Sequence, residues 1–163
     1  MWEHFIRRLG FRNVYKGCQI IGFQFKIHIP SYRGVFVSCL SDAFTVKVDG
    51  ESFKHDSISL KIGERVIPWS QIDAAFDVFW AFGTLATVIV QKPGGLMPGL
   101  HNVECRLAIR KSYVPAFDPE GVYDFAGLPR IEADMRPLSR EGFTSRDPMF
   151  QIQTCSLPMI LGM

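Results

Sequence analysis

IIGFQFKIHIP, residues 20–30, is the segment from which the fold class follows. From Gly22 onward, apolar and polar side chains alternate, and the apolar set is Phe23, Phe25, Ile27 and Ile29. Successive side chains of a β-strand point to opposite faces, so a period of two residues is typical of a strand with one buried face. The segment therefore predicts a half-buried strand.

The same alternation recurs along much of the chain. HNVECRLAIRKSY, residues 101–113, is the longest candidate strand, with Val103, Cys105, Leu107 and Ile109 facing inward. Asp49-Gly50 after a strand-like segment is a strong hairpin signal, and Gly63-Glu64 indicates another turn. Further strands are predicted at VFVSCL (35–40), FTVKV (44–48), SISLKI (57–62) and TLATVIVQ (84–91).

Two segments depart from simple alternation. Residues 84–91 are β-branched and largely continuous in apolar character, which predicts a strand covered on both faces. SQIDAAFDVF, residues 70–79, predicts one or two helical turns. Six strands at short spacing, tight turns and little helix together predict an all-β fold, an antiparallel β-sandwich or a jelly-roll-like arrangement.

The chain after Tyr113 loses this periodicity and is rich in prolines and glycines. A long loop inside a compact domain is uncommon, so we expect an extended, irregular arm over residues 116–163 that wraps its own sandwich or a partner. A length of 163 residues fits one domain. We therefore predict a single domain, 1–163, with a sandwich core at about 15–115.

Composition excludes several classes of function. The net charge of +2, with scattered basic residues, is too small to indicate a nucleic-acid partner. The four cysteines (Cys18, Cys39, Cys105, Cys155) form no CxxC pair, so structural zinc is not expected. No leader peptide or membrane-spanning run is visible, and we expect a cytoplasmic protein with reduced thiols. Fourteen phenylalanines are many for one small core, so some are expected to contact another chain.

The glycine-rich loop KPGGLMPG, residues 92–99, raises the question of a phosphate site. A phosphate-binding loop has its lysine after the glycines and a helix behind it, so that backbone amides point at the anion. Here Lys92 precedes the glycines and a candidate strand follows. The loop is therefore predicted to be a hairpin connection between two antiparallel strands.

Five short motifs follow one another in a distinctive order: SYRGVFVSCLSD (31–42), VDGE (48–51), FWAFG (79–83), KPGGLMPGLHNV (92–103) and RKSYVP (110–115). In this order they resemble the beta subunit of bacterial C-glycoside deglycosidases, a family of small, single-domain β-sandwich proteins. The resemblance spans about residues 20–115 and does not include the arm that follows.

The resemblance implies a heteromeric enzyme. Such beta subunits pair with a larger alpha subunit, a TIM-barrel-like protein that is similar to sugar-phosphate isomerases and holds a divalent metal, commonly manganese. The complex acts on 3-oxo-C-glycosides of flavonoid type: the ketone acidifies the C2 proton, a base removes it, the metal stabilises the enolate, and the aglycone leaves from C1. This chain would then be the accessory subunit of a carbon–carbon lyase, with no catalytic residue, metal ligand or cofactor of its own.

Six residues are candidates for contact with the partner or the substrate: Tyr32, Arg33, Phe79, Trp80, Phe82 and His101. Aromatic rings and arginine are frequent interface anchors, and a guanidinium also binds carboxylate or sugar oxygens. Phe79 and Trp80 can equally be core residues, whereas turn residues such as Tyr32 and Arg33 seldom serve a core. His101 is either a strand-edge residue bonded to nearby backbone, which is the more frequent case, or a catalytic group.

Two other functions stay open. A stand-alone carbohydrate-binding or small-ligand-binding β-sandwich would use Trp80 and Tyr32 as stacking platforms. A structural domain without any ligand is the third option. The histidines have no ligand spacing and no serine or cysteine has an evident base beside it, so neither a metal nor a catalytic nucleophile is expected within this chain.

Overall fold

The computed structural model describes residues 4–30, 34–40, 44–75, 77–110 and 150–162. These residues form the strands β1 (Ile6–Lys16), β2 (Gln19–His28), β3 (Val35–Phe36), β4 (Thr45–Val48), β5 (Glu51–Ser52), β6 (Ile58–Ile62), β7 (Arg65–Pro68), β8 (Phe79–Trp80), β9 (Leu85–Gln91), β10 (Leu100–Arg110) and β11 (Phe150–Ile160). Short 3-10 helices lie at Val37–Cys39, His55–Ser57 and Trp69–Ala74. The last of these confirms the helical turns predicted within residues 70–79.

Two antiparallel sheets build the molecule. One has five strands in the order β1-β2-β9-β6-β7, the other has four in the order β11-β10-β4-β5, and β3 pairs with β8 in a separate two-stranded ribbon. Side chains from both sheets form one buried apolar cluster. The predicted all-β sandwich is therefore confirmed.

Alternation along β2 and β10 builds the core. The inward residues of both strands are fully or almost fully buried: Phe23, Phe25, Ile27, Val103, Cys105, Leu107 and Ile109. Burial of one large apolar side chain stabilises the fold by about 1.5–3 kcal/mol. The inward sets predicted from the two-residue period are confirmed.

The prediction for residues 84–91 is wrong in one respect. In β9, Ala86, Val88 and Val90 are fully buried, but Thr87 and Ile89 on the other face are partly exposed. A two-layer sandwich leaves the outer face of each sheet without a cover. The β-branched composition indicated the strand correctly but did not show that one face is fully buried and the other only partly.

Residues 35–40 form a shorter strand than predicted. Pairing with β8 stops after Phe36, and Val37–Cys39 turns into a 3-10 helix. The strand ends here because the backbone amides of residues 37 and 38 bond outside the ladder. Val37 N–H donates to the carbonyl oxygen of Val78 at 2.9 Å, and Ser38 N–H donates to that of Ala75 at 3.3 Å. The carbonyl groups of Ala75 and Val78 thus replace those of a neighbouring strand.

The glycine-rich loop is a bend, but not the predicted hairpin. It leaves β9 in the five-stranded sheet and leads to β10 in the four-stranded sheet, so the two strands do not pair with each other. The side chain of Asn13 on β1 bonds to this connection between the sheets. Its Nδ2 donates to the Leu96 carbonyl oxygen, and its Oδ1 accepts from Leu96 N–H, both at 2.9 Å. Gly95 adopts φ 62°, and an added Cβ there would lie 2.5 Å from Asn13 Oδ1.

Residues 150–160 differ from the predicted irregular arm because they form β11, which pairs with β10 along its length. Gly162 then donates its N–H to the Phe11 carbonyl oxygen at 2.8 Å, which ties this segment to β1 of the other sheet. Pairing of β11 depends on β10 as a template, so local pattern did not indicate it. Residues 116–149 of the predicted arm lie outside the described residues.

β1 was also not predicted, although it extends the five-stranded sheet. Its pairing with β2 shifts register between Arg7 and Arg12, and Gly10 within that interval has φ 91°. Such a bulge breaks the two-residue period that would mark a strand in the sequence. Ile6 and Phe11 on either side of the shift are nevertheless buried in the core.

Candidate functional site

The predicted contact turn at Tyr32 and Arg33 lies outside the described residues. Gly34, the residue that follows, is described. An added Cβ at Gly34 would lie 2.5 Å from Cζ of Phe79 and 2.7 Å from the backbone oxygen of Trp80. Glycine is needed here because the chain passes directly against β8 as it enters β3.

Four exposed apolar side chains lie on the β3–β8 ribbon, in the turn that follows it and at the start of β9. We call them together the aromatic patch: Phe36, Phe79, Phe82 and Leu85. Their exposed fractions are 44%, 50%, 54% and 41%, respectively. The rings of Phe36 and Phe79 contact each other edge to face, with centroids 5.2 Å apart and an interplanar angle of 69°.

Trp80 does not contribute to this surface. Its side chain is fully buried, and its indole Nε1 donates to the backbone oxygen of Thr84 at 2.8 Å. Of the two placements considered for Trp80, the structure has the core placement. The indole therefore offers no stacking surface to a sugar, which removes one platform of the stand-alone binding hypothesis.

His101 joins the glycine-rich loop to the β4–β5 turn. Its Nδ1 lies 2.6 Å from Oδ2 of Asp49, and its Nε2 lies 2.6 Å from the backbone oxygen of Met97. Asp49 also accepts from Asn102 N–H through Oδ1 at 2.8 Å. The Phe11 ring meets the imidazole edge to face at a centroid distance of 6.1 Å.

The electrostatics of this contact favour a charged imidazole. Burial of the ring by itself lowers the pKa of His101, but the bonds to the Met97 carbonyl and the Asp49 carboxylate outweigh burial and raise that pKa above its ordinary value. Both ring nitrogens face acceptors, so only the imidazolium donates to both. The bond from the Asn102 amide, and then the His101 ring, hold the pKa of Asp49 below its ordinary value.

This arrangement makes His101 a structural residue. A general base needs a ring nitrogen within reach of the substrate proton, and both nitrogens of His101 are already bonded within the chain. The strand-edge interpretation of His101 therefore fits the geometry, with the addition of a carboxylate partner 52 residues away in sequence. The side chain links the glycine-rich loop to the β4–β5 turn.

Three of the four cysteines behave as small apolar residues, whereas Cys18 is exposed. Cys39, Cys105 and Cys155 are buried, and Cys105 and Cys155 face each other across β10 and β11. Burial, and then the neighbouring Cys155, raise the pKa of Cys105 well above its ordinary value. Within the described part of the chain, no three His, Cys, Asp or Glu residues lie close enough to hold a metal ion.

Phe36 and Leu85 are members of the aromatic patch that the sequence did not single out. A signal for Phe36 was present, because its neighbours Val35 and Val37 are both buried and alternation then turns Phe36 outward. Leu85 carried no such signal, since residues 84–91 are apolar on both faces.

Comparisons with known proteins agree with the motif order. A family model described as C-glycoside deglycosidase beta subunit matches residues 1–113. The C-glycoside deglycosidase beta subunit of Eubacterium cellulosolvens is 34% identical over 123 residues, which cover 75% of this chain and 83% of that protein. Among the described residues, no helix has the length and apolar character needed to cross a membrane.

Proposed function

The chain belongs to the C-glycoside deglycosidase beta subunit family, and from this premise we propose that it is the accessory subunit of a heteromeric carbon–carbon lyase. A beta subunit implies an alpha subunit as its partner. In this proposal the alpha subunit is a metal-dependent, TIM-barrel-like protein, and the divalent metal, expected to be manganese, belongs to it. The complex acts in the cytoplasm on 3-oxo-C-glycosides of flavonoid type.

The proposed reaction is an elimination that consumes no water. The C3 ketone of the sugar acidifies the proton on C2, and a base removes that proton. The electron pair left behind forms the C1–C2 double bond while the bond from C1 to the aglycone carbon breaks, and that carbon takes up a proton. The base is assigned to the partner, because the imidazole of His101 is bonded at both nitrogens.

The observation that carries the accessory role is the aromatic patch. Isolated apolar residues are normal on a protein surface, but Phe36 and Phe79 are adjacent rings that remain about half exposed. Phenylalanine is enriched in the buried centres of protein interfaces, where water is excluded. We assign the aromatic patch to the alpha subunit, whose docking would cover it.

The position of the aromatic patch supports a composite contact. Leu85 is the first residue of β9 and pairs with His28, the last residue of β2. Tyr32 and Arg33 connect this end of β2 to Gly34, which lies against the Phe79 ring. A guanidinium at the rim of an aromatic contact is a frequent anchor, so Arg33 is proposed as the charged member.

Reconstitution tests the proposal. The full chain, the alpha subunit and the co-expressed pair are each assayed with manganese and a 3-oxo-C-glycoside, and the metal content of each polypeptide is measured. We expect co-purification, turnover by the pair, and metal that follows the alpha subunit. Full turnover by either polypeptide alone, or a monomeric chain that never retains the alpha subunit, contradicts an accessory role.

A further inference from the structure

A groove of about 1050 Å³ lies away from the aromatic patch. One side is formed by the end of the five-stranded sheet where β1 turns into β2 and β9 ends. The other side is formed by the segment that runs from β5 to the 3-10 helix at His55–Ser57. Ligand sites commonly measure about 300–1,000 Å³, so the groove is large enough for a ligand of several rings.

The walls of the groove combine apolar and polar surface. Ile20, Ile21 and Phe53 supply apolar side chains, and Ile21 is 38% exposed. Gln91 and Lys54, both exposed, add an amide and an ammonium. Apolar walls with a few converging polar groups are typical of sites for small organic ligands.

The Phe53 ring packs against the core and against a lysine side chain. Its ring meets Phe23 of the core edge to face, at a centroid distance of 5.3 Å. The Lys92 ammonium lies 5.6 Å from the Phe53 ring centroid and pairs with the Glu51 carboxylate at 2.9 Å. A ring fixed in this way loses little conformational freedom when a ligand packs on it.

The charges of the groove are not balanced internally. Lys16 and Lys54 line it, and within the described ranges neither ammonium has an ion-pair partner. Asp56 is the acidic residue of the lining. Unpaired ammonium groups beside apolar walls suit phenolate or hydroxyl oxygens on a flat, largely apolar body.

We propose that this groove binds the phenolic glycoside that the complex processes, with the aglycone ring on Ile20, Ile21 and Phe53 and oxygen substituents at Lys16, Lys54 and Gln91. The identity of the ligand rests on the proposed function. The groove and the aromatic patch lie at opposite ends of β9, and Leu85 and Gln91 are separated by six steps of about 3.3 Å along the strand. The groove is thus separate along β9 from the surface assigned to the alpha subunit.

Calorimetric titration of the full chain tests the inference. The probes are a 3-oxo-6-C-glucosylflavone, the matching free flavone and glucose. We expect glucose to bind weakest, because the aglycone supplies the apolar contact area. The glycoside is expected to bind more tightly than the flavone, because its sugar adds oxygen atoms that can bond to the polar groups of the groove. Ile21→Asp places a carboxylate on the apolar wall and is expected to weaken glycoside binding by at least about tenfold.

A matched control separates the groove from general effects of charge. Val66→Asp makes the same kind of change on β7, at an apolar residue that is 52% exposed and lies outside the groove. Thermal unfolding is measured for both variants, to check that each of them folds. Val66→Asp is expected to bind the glycoside like the unsubstituted chain. No binding by the unsubstituted chain, or equal weakening by both variants, overturns the inference.

Co-purification with the alpha subunit, measured on the same preparations, distinguishes the two proposals. Loss of glycoside binding in Ile21→Asp with the alpha subunit retained supports the groove. A chain that retains the alpha subunit but binds no glycoside overturns the groove and leaves the accessory role standing. A chain that binds the glycoside but never the alpha subunit supports the groove and overturns the accessory role. Loss of the alpha subunit in Ile21→Asp, without glycoside binding by the unsubstituted chain, makes the groove a protein contact and overturns the inference.

Discussion

Phe36 and Phe79 face each other across the β3–β8 ribbon, edge to face at 5.2 Å, yet 44% and 50% of their surfaces remain exposed. Their neighbours along each strand, Val35 and Trp80, pair with each other across the ribbon and are buried. The ribbon is thus anchored in the core by one face and presents an aromatic pair on the other. The mutual contact of the two rings restricts their rotamers, which lowers the entropy lost on docking.

Phe79→Glu is expected to weaken retention of the alpha subunit by about 1–3 kcal/mol or more, because it removes an aromatic anchor and places a charge in an apolar contact. The measurement is co-purification followed by calorimetry of the isolated subunits. Val66→Glu, an equally exposed apolar position on β7, is the control and is expected to keep the affinity. Unchanged affinity in Phe79→Glu would remove the aromatic patch as the docking surface.

Arg33→Ala is expected to lower the activity of the complex more than the stability of the chain, because the sequence predicts a turn at Arg33 and turn residues seldom serve the core. Turnover of the co-expressed pair and the melting temperature of the chain are measured in parallel. Arg33→Lys keeps the charge but loses the bidentate hydrogen bonding of a guanidinium, so its activity is expected to lie between that of Arg33→Ala and that of the unsubstituted complex. Equal losses of activity and stability would contradict a contact role.

The sandwich could be predicted because its signal is local. β2 and β10 each alternate over many residues, and a period of two needs no knowledge of the rest of the chain. The crossing of residues 92–99 between the sheets could not be predicted in this way. A hairpin and a crossover use the same turn residues, and what fixes this loop is Asn13, 83 residues away from Leu96.

The candidate site could be predicted only in part, because its surface also depends on residues that are distant in sequence. Phe79 and Trp80 are adjacent aromatics, so the sequence shows that they face opposite sides but not which side is inward. The answer comes from β3, where buried Val35 is the cross-strand partner of Trp80 and exposed Phe36 is that of Phe79. Side chains opposite each other in a ladder share one face.

Gly95→Ala is expected to destabilise the chain by more than the roughly 1–2 kcal/mol that a positive φ alone costs. The added Cβ would lie 2.5 Å from Asn13 Oδ1, and the displaced amide would lose its bonds to Leu96. Gly63→Ala is the matched control, since Gly63 has φ 60° and no atom within 4 Å of an added Cβ. Urea unfolding of both variants measures the difference, and equal destabilisation would show that Asn13 adapts.

His101 is expected to make stability depend on pH. Its folded pKa is raised above the ordinary value of 6.5, so the stability it contributes is fully present below that value and is lost as pH rises through the folded pKa. The pKa of Asp49 is lowered, so the contribution of its carboxylate is present above its ordinary value of 3.8 and is lost as pH falls through the folded pKa. The pair therefore stabilises the loop most between these two limits.

His101→Ala should reduce the free energy of unfolding at pH 6 by about 1–3 kcal/mol, because the Met97 carbonyl oxygen and Oδ2 of Asp49 lose their bonds to the imidazole. Urea unfolding between pH 5 and pH 9 gives the profile, and the difference between the two proteins should shrink as pH rises through the folded pKa of His101. His4→Ala at an exposed histidine is the control and should keep the profile of the unsubstituted chain. A difference that stays constant over this range would mean that packing against Phe11, rather than the charge of the imidazolium, accounts for the contribution of His101.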